Sequence, residues 1–284
     1  MEYLYLGHLK ELMASAGLRP DRGLGQNFLI NTGIVEAIVE AGDSVTTAIE
    51  IGAGPGILTL PLSHRYPRVI AVEIDERIIG VLREVVADRP GVDIVVADAR
   101  IVAWREVLES SGAPAPVTWF GNLPYYAAAP ILNRVLESSV PWRRGVFMFQ
   151  REVADRLTAP PGGKDYGVFT LAVRYHAEVR VLKKVSPGSF YPSPEVASSV
   201  VILTPRPEPL GVPFDPFIAV VRAGFAQRRK TLRNSLLGSG ELPLSRDEVD
   251  DLLARADIDP GRRGETLSME EFATIARFMV ARDP

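Results

Sequence analysis

Apolar residues in the first half of the chain follow two alternating patterns. Short, mainly apolar runs predict buried strands, at residues 48–51, 69–72, 94–97, 117–120 and 145–149. Between these runs, helical spacing of the apolar residues predicts helices at 34–41, from Ile57 onward and at 78–86. Strands that alternate with helices are typical of βαβ units, in which helices cover both faces of a parallel sheet. The pattern therefore predicts an α/β fold.

The pattern changes near residue 177. Two further apolar runs, 179–185 and 198–203, flank a proline-containing turn at 187–194, which predicts a terminal β-hairpin on the sheet. Residues 204–216 contain five prolines, a density that neither a helix nor a central strand tolerates. Beyond this segment, helical spacing returns at 217–226, 230–237, 246–256 and 269–281.

The prolines mark a domain boundary. We predict an α/β domain over residues 1–205, in which residues 1–30 form an N-terminal arm, and a small all-helical domain over 206–284. The length of 284 residues and the fractions of hydrophobic (46%) and charged (24%) residues are those of an ordinary globular protein.

Composition excludes several classes of site. Because the chain has no cysteine, it has neither disulfides nor thiolate zinc sites. Its three histidines, His8, His64 and His176, are far apart in the sequence, and no metal site is expected. Residues 1–17 do not have the layout of a signal peptide, and no apolar run is long enough to cross a bilayer. A cytoplasmic protein is expected.

Candidate ligand-binding residues follow the predicted strands. Gly52, Gly54 and Gly56 come after the first strand, Glu73 ends the second, and Asp98 ends the third. Ligands of open α/β sheets bind at these carboxyl ends, where glycines allow close approach and an acid about 20 residues further on holds ribose hydroxyls. The G-x-G-x-G spacing differs from the G-x-G-x-x-G of dinucleotide enzymes, which disfavours a dehydrogenase. The set favours a nucleoside-containing cofactor, although simple turns and helix N-caps remain alternatives.

The fourth predicted strand runs into a tetrapeptide, Asn122-Leu123-Pro124-Tyr125. Adenine's exocyclic amine is a poor nucleophile because its lone pair is delocalised into the ring. The Asn122 side-chain oxygen and the Leu123 carbonyl are candidate acceptors for its hydrogens, Pro124 would hold the backbone in place, and Tyr125 would stack on the base. The alternative is a tight turn with an asparagine cap. By itself this loop predicts a site for the amino group of a planar base. Together with the predicted cofactor site, it predicts methyl transfer to an adenine amine.

The charge is unevenly distributed. The net charge is −3, whereas RNA binding needs local positive charge. Residues 217–240 contain no acid but include five basic residues that we predict to contact RNA, Arg222, Arg228, Arg229, Lys230 and Arg233. A solvated helix face is the alternative explanation.

Several motifs resemble the S-adenosylmethionine-dependent small-subunit rRNA adenine dimethyltransferases, the KsgA family, in their bacterial form. The similarity covers nearly the whole chain: GQNFL at 25–29, EIGAGPG at 50–56, FGNLPY at 120–125, QREVA at 150–154, YG at 166–167, FYPSPEVASS at 190–199 and RRKTL at 228–232. It implies a Rossmann-like methyltransferase domain, followed by a helical domain that binds RNA or the ribosome. It also implies dimethylation, during ribosome biogenesis, of the N6 amines of two adjacent adenosines near the 3′ end of small-subunit rRNA. The implied substrate is a partly assembled subunit, and a monomer is expected.

The resemblance also assigns residues. The family's S-adenosylmethionine contacts correspond to Asn27, Leu29, Gly52, Glu73, Asp98 and Asn122, with Gly54 in the same glycine loop. Phe190 corresponds to the second aromatic that flanks the target base. After Tyr125 the chain continues Tyr126-Ala127-Ala128-Ala129, where the family usually has asparagine or histidine followed by hydroxylated residues. The rate or the second methylation is therefore expected to differ.

Three alternatives remain. A large-subunit adenine methylase of the erythromycin-resistance type would share the cofactor site, but it usually has isoleucine in place of Leu123. A DNA adenine methylase usually has a dedicated base-reading domain, for which the helical segment leaves little room. A non-catalytic ribosome-assembly factor with the same fold is expected to lack Asn122 or Glu73, and both are present.

Overall fold

The computed structural model describes residues 2–21, 23, 25–124, 126–206 and 210–281. These residues divide into two compact units, one of Met1–Ala154 with Val179–Pro205, and one of Asp155–Glu178 with Arg206–Pro284. The prediction of a second unit at 206–284 therefore omitted residues 155–178. That segment belongs with the helical unit because Ala159, Tyr166 and Leu171 are buried in its core.

The first unit is built on a seven-stranded sheet. In chain order its strands are β2 (Thr47–Ile51), β3 (Arg68–Glu73), β4 (Val92–Val96), β5 (Val117–Asn122), β6 (Trp142–Gln150), β7 (Ala177–Val185) and β9 (Ser198–Pro205). The spatial order is β4-β3-β2-β5-β6-β9-β7. The strands from β4 to β6 pair in parallel, and β9 is antiparallel to β6. A separate two-stranded pair joins β1 (Phe28–Leu29) to β8 (Phe190–Tyr191).

Helices connect the strands. They are α1 (Leu6–Ser15), α2 (Thr32–Glu40), α3 (Thr59–Arg65), α4 (Glu76–Val85), α5 (Trp104–Ser110) and α6 (Ala128–Leu136). All five residues of β2 are buried, as expected for a strand covered on both faces. The α/β prediction is confirmed, with strand bounds within a few residues. No helix was predicted at α1, α5 or α6.

The strand order reverses direction next to β2, which makes this a topological switch point of the sheet. The connection from β2 leads to β3 on one side, whereas β5 pairs with β2 on the other side. A crevice opens outside the carboxyl ends of the strands at such a point, and ligands of open α/β sheets bind there. The topology therefore assigns a ligand site to the loops that follow β2 and β5.

The second unit is helical. Its elements are α7 (Arg151–Thr158, which begins in the first unit), α8 (Val168–His176), α9 (Phe214–Phe225), α10 (Leu232–Gly238), α11 (Arg246–Arg255) and α12 (Met269–Val280). Thr231 caps α10 by accepting a hydrogen bond from the backbone of Asn234. Residues 226–229 form a turn. The helix predicted at 230–237 therefore begins two residues later than expected, because Thr231 is its cap, and Arg228 and Arg229 lie in the turn before it. Among the described residues, no helix is both long and apolar enough to cross a membrane.

Candidate functional site

An open cavity of about 960 Å³ lies at the carboxyl ends of β2, β3 and β5 in the first unit. It brings together residues that the sequence separates by more than 90 positions. Of the predicted site residues, it is lined by Asn27, Leu29, Gly52, Gly54, Glu73, Asp98, Asn122 and Pro124.

The glycine loop after β2 needs glycine for its conformation. Gly52 and Gly54 have φ values of +72° and +55°, in the left-handed region that other residues rarely adopt. The backbone N–H of Gly52 donates to the Val72 carbonyl at 2.8 Å, which ties the loop to the end of β3. The loop backbone thereby forms one wall of the cavity without a side chain in the way.

Glu73 is held in place by the backbone. Its Oε2 accepts a hydrogen bond from the Gly54 N–H at 2.8 Å. Its Oε1 accepts from the N–H groups of Ile74 and Asp75, at 2.8 and 2.9 Å. A carboxylate offers about four acceptor positions, so one remains for a ligand hydroxyl. The side chain is therefore rigid, and it faces the cavity.

Asp98 is bound by a neighbour that was not predicted. Arg100 donates from Nη2 to Asp98 Oδ2 at 2.6 Å and from Nε to Oδ1 at 2.9 Å. This guanidinium holds the pKa of the Asp98 carboxyl below its usual range. Asp98 therefore stays ionised, and its oxygens act only as acceptors, which suits an adenine amine. Both residues of the pair line the cavity, as does Tyr126, which is 57% exposed.

Asn122 ends β5 with its amide in a defined orientation. Its Nδ2 donates to the Asn27 backbone carbonyl at 3.0 Å, across 95 positions of sequence. Because the amide nitrogen is used in this way, the side-chain oxygen Oδ1 is the group that can accept hydrogen bonds from a ligand. Pro124 lines the cavity two residues further on.

The other residues predicted for catalysis have different positions. Leu123 is buried and its N–H donates to the Met148 carbonyl at 3.4 Å. Phe190 is also buried and pairs with Leu29 between β8 and β1, and it is not among the residues that line the cavity. Tyr125 lies outside the described residues. The roles assigned to these three residues stay predictions.

Glu50 also lines the cavity, although no sequence pattern assigned it a role. It is the fourth residue of β2, and its side chain is almost fully buried. The hydroxyl of Thr59 donates to its Oε2 at 2.6 Å. Burial raises the pKa of Glu50 to about 8, opposed by the Thr59 hydrogen bond and assisted by Glu73.

The basic residues of the second unit differ in what they contact. Arg228 donates to the backbone carbonyls of Lys164 and Tyr166, at 3.1 and 2.9 Å. Arg233 pairs with Asp250. Both guanidinium groups therefore have partners within the unit, which weakens their assignment to RNA. The remaining three predicted RNA contacts, Arg222, Arg229 and Lys230, are exposed.

These residues fit S-adenosylmethionine. The remaining acceptor position of Glu73 suits a ribose hydroxyl, and ionised Asp98 suits the adenine amine. The glycine loop leaves room for the backbone to approach the ligand closely. On this fit, the target amine would meet the methyl group beside Asn122 Oδ1.

The comparisons with known proteins agree with one another. The model of the family described as ribosomal RNA adenine dimethylase matches residues 19–279. Ribosomal RNA small subunit methyltransferase A of Bacillus thuringiensis (strain Al Hakam) is 41% identical over 277 residues, which is 95% of either chain. The protein of the same name from Bacillus mycoides (strain KBAB4) has the same identity and coverage.

Solved structures are similar across both units. A dimethyladenosine transferase from Plasmodium falciparum superposes with a TM-score of 0.77 at 25% identity, covering 90% of this chain and 98% of its own. The 23S rRNA methyltransferase ErmE superposes with a TM-score of 0.66, also at 25% identity, covering 88% of this chain and 98% of its own.

Proposed function

The chain belongs to the ribosomal RNA adenine dimethylase family of S-adenosylmethionine-dependent methyltransferases, and we propose that its strand-end cavity is the methyl-transfer site. The reaction is transfer of methyl groups from S-adenosylmethionine to the exocyclic N6 amine of adenosines in small-subunit rRNA. The relatives that are 41% identical have the name of a small-subunit methyltransferase, which supports this choice of RNA.

The orientation of the Asn122 amide is the observation on which the residue assignment rests. With Nδ2 bound to the Asn27 carbonyl, Oδ1 is left to accept a hydrogen bond from the target amine. That bond favours the pyramidal nitrogen, whose lone pair is available for attack. Since Asn122 shares the cavity with Glu73 and Asp98, acceptors for the cofactor and for the target base face the same space.

The chemistry needs little beyond positioning. When bound, S-adenosylmethionine supplies an electrophilic methyl group on a sulfonium. The adenine nitrogen forms the new N–C bond as the S–C bond breaks, and the nitrogen then loses a proton to solvent. Holding both groups in line can lower the barrier by about 7–11 kcal/mol. In this scheme Glu73 and Asp98 hold the ribose and the adenine of S-adenosylmethionine, and Asn122 orients the target amine.

The target base has to leave its stack to reach the cavity. Unstacking costs a few kcal/mol, and less for a base that is already single-stranded. Stacking on an aromatic side chain returns about 1–3 kcal/mol per base, the role that we assign to Tyr125 and Phe190. For the second unit we propose RNA phosphate contacts through Arg222, Arg229 and Lys230, whose side chains are exposed.

The finer points of the substrate are also proposals. We propose two adjacent adenosines near the 3′ end of the small-subunit rRNA as the targets, within a partly assembled subunit. We also propose that the protein acts in the cytoplasm as a monomer.

Mass spectrometry of ribosomal RNA tests these proposals together. Naked rRNA, small-subunit assembly intermediates, mature small subunits and large subunits are each incubated with the protein and labelled S-adenosylmethionine. We expect N6-dimethyladenosine at two neighbouring positions, in the small-subunit intermediate above all. Label in large-subunit RNA would instead favour the activity named for the ErmE structure. Label in none of the four would contradict the proposed function.

A further inference from the structure

Glu50 is a buried carboxyl group in the cavity wall, and none of the described residues gives it a charged partner. Its side chain is only 2% exposed, and the hydrogen bond that it accepts comes from the neutral hydroxyl of Thr59. Its register neighbours on the adjoining strands are Ala71 on β3 and Phe120 on β5, and neither can offset a negative charge. An ionised carboxylate in such a place is costly unless a cation approaches it.

The other titratable groups of the cavity do not supply that cation. Among the described residues that line it, these are Glu73, Asp98, Arg100 and Tyr126. Glu73 is a second acid, which opposes ionisation of Glu50. Arg100 is paired with Asp98 by several hydrogen bonds. The described part of the cavity wall around Glu50 therefore lacks a compensating positive charge.

We propose that Glu50 senses the charge of the cofactor: it is protonated in the free protein and releases its proton to solvent when the positively charged methyl donor binds. The proposal rests on the proposed function, since it takes S-adenosylmethionine as the ligand. S-adenosylmethionine has a sulfonium charge that S-adenosylhomocysteine, the product, lacks. Because Glu50 is almost fully buried, its attraction to a cation is screened less by water than that of an exposed carboxylate. Glu50 thus makes the site prefer the donor over the product, which helps the product to leave.

Calorimetry measures the released proton directly. Titrating the protein with S-adenosylmethionine at pH 7, in buffers of different ionisation enthalpy, gives the number of protons exchanged. With a pKa of about 8, Glu50 in the free protein is about 0.9 protonated at pH 7. Glu50→Gln is the matched control, because it keeps the shape of the neutral acid and every other titrating group. We expect the wild-type protein to release about 0.9 proton more than Glu50→Gln.

The pH dependence and the product give two further readouts. Relative to Glu50→Gln, the wild-type affinity for S-adenosylmethionine should rise about 50-fold between pH 6 and pH 8, because binding requires the ionised acid. S-adenosylhomocysteine should release fewer protons and show a smaller rise. If the wild type and Glu50→Gln release equal numbers of protons on binding S-adenosylmethionine, the proposal is overturned. It is also overturned if the wild type releases as many protons on binding S-adenosylhomocysteine as on binding S-adenosylmethionine.

Thr59→Val provides a second variant in case Glu50→Gln does not fold, which its melting curve will show. Removing the Thr59 hydroxyl takes away a hydrogen bond that lowers the pKa of Glu50. The midpoint of the affinity profile should therefore move to higher pH, and an unmoved midpoint would contradict the proposal. If S-adenosylmethionine does not bind at all, both the proposed function and the role of Glu50 are contradicted. If it binds without the proton difference, only the role of Glu50 fails.

Discussion

Replacing Asn122 by alanine removes two interactions from the proposed site. The first is the hydrogen bond from Nδ2 to the Asn27 carbonyl, at 3.0 Å. The second is the hydrogen bond that we assign to the Oδ1 acceptor and the target amine. The first bond affects the stability of the protein, because it exists without substrate. The second affects the rate of methyl transfer, because it gains strength as the amine attacks.

The size of each effect follows from the kind of hydrogen bond. A neutral hydrogen bond such as that to Asn27 contributes about 0.5–1.5 kcal/mol to stability, so the variant should still fold. The amine nitrogen becomes positively charged during attack, and a hydrogen bond to a charged group is worth about 1.5–3 kcal/mol. At about 1.36 kcal/mol per factor of ten, loss of the acceptor alone should lower kcat about 10- to 150-fold. The affinity for S-adenosylmethionine should remain nearly unchanged.

Single-turnover methylation of small-subunit intermediates, together with cofactor binding by calorimetry, separates these quantities. Asn133→Ala is a suitable control, because Asn133 lies on α6 and does not line the cavity. Asn122→Asp is a further comparison, since a carboxylate keeps an acceptor but cannot donate to the Asn27 carbonyl. It should therefore lose the fixed orientation and most of the rate. Unchanged turnover in Asn122→Ala would refute the assignment of the amine to Asn122.

Four further predictions concern other parts of the chain. Arg229→Ala with Lys230→Ala should weaken RNA binding. The slope of log affinity against log salt concentration, measured by filter binding, should fall by about 1 for each phosphate that is no longer neutralised. An unchanged slope would place the RNA surface elsewhere. Arg228→Ala should instead lower the melting temperature, because it leaves two backbone carbonyls without their donor; an unchanged melting temperature would argue against that structural role. The pKa of Glu50 is about 8 in the folded protein and about 4.5 unfolded, so its contribution to stability is present below pH 4.5 and is lost as pH rises through 8. Without cofactor, the melting temperature of the wild type should therefore fall relative to Glu50→Gln between pH 5 and pH 8, and parallel curves would show that Glu50 does not titrate there. Gly54→Ala should weaken S-adenosylmethionine binding, because alanine at a φ of +55° costs about 1–2 kcal/mol; an unchanged affinity would show that the loop conformation can shift.

Local sequence determined the strands and the type of site. The mainly apolar runs at 48–51 and 117–120 lie within β2 and β5, because a strand buried on both faces has apolar residues on both of them and lacks regular polar alternation. Gly52 and Gly54 were recognisable since few other residues adopt a positive φ. Once the strands and glycines were placed, the cavity could be located, because ligands of open α/β sheets bind at the carboxyl ends of the strands.

Tertiary structure determined what the individual side chains do. The free acceptor of Asn122 depends on the carbonyl of Asn27, 95 positions away. No pattern around Arg228 distinguishes it from Arg229, yet its guanidinium binds carbonyls more than 60 positions earlier in the chain. Glu50 looks like one polar residue in an apolar run, and only the packing of the neighbouring strands buries it. Periodicity and conformational preference act over a few residues and therefore leave a record in the sequence, whereas burial and hydrogen-bond partners depend on chain segments that meet only after folding.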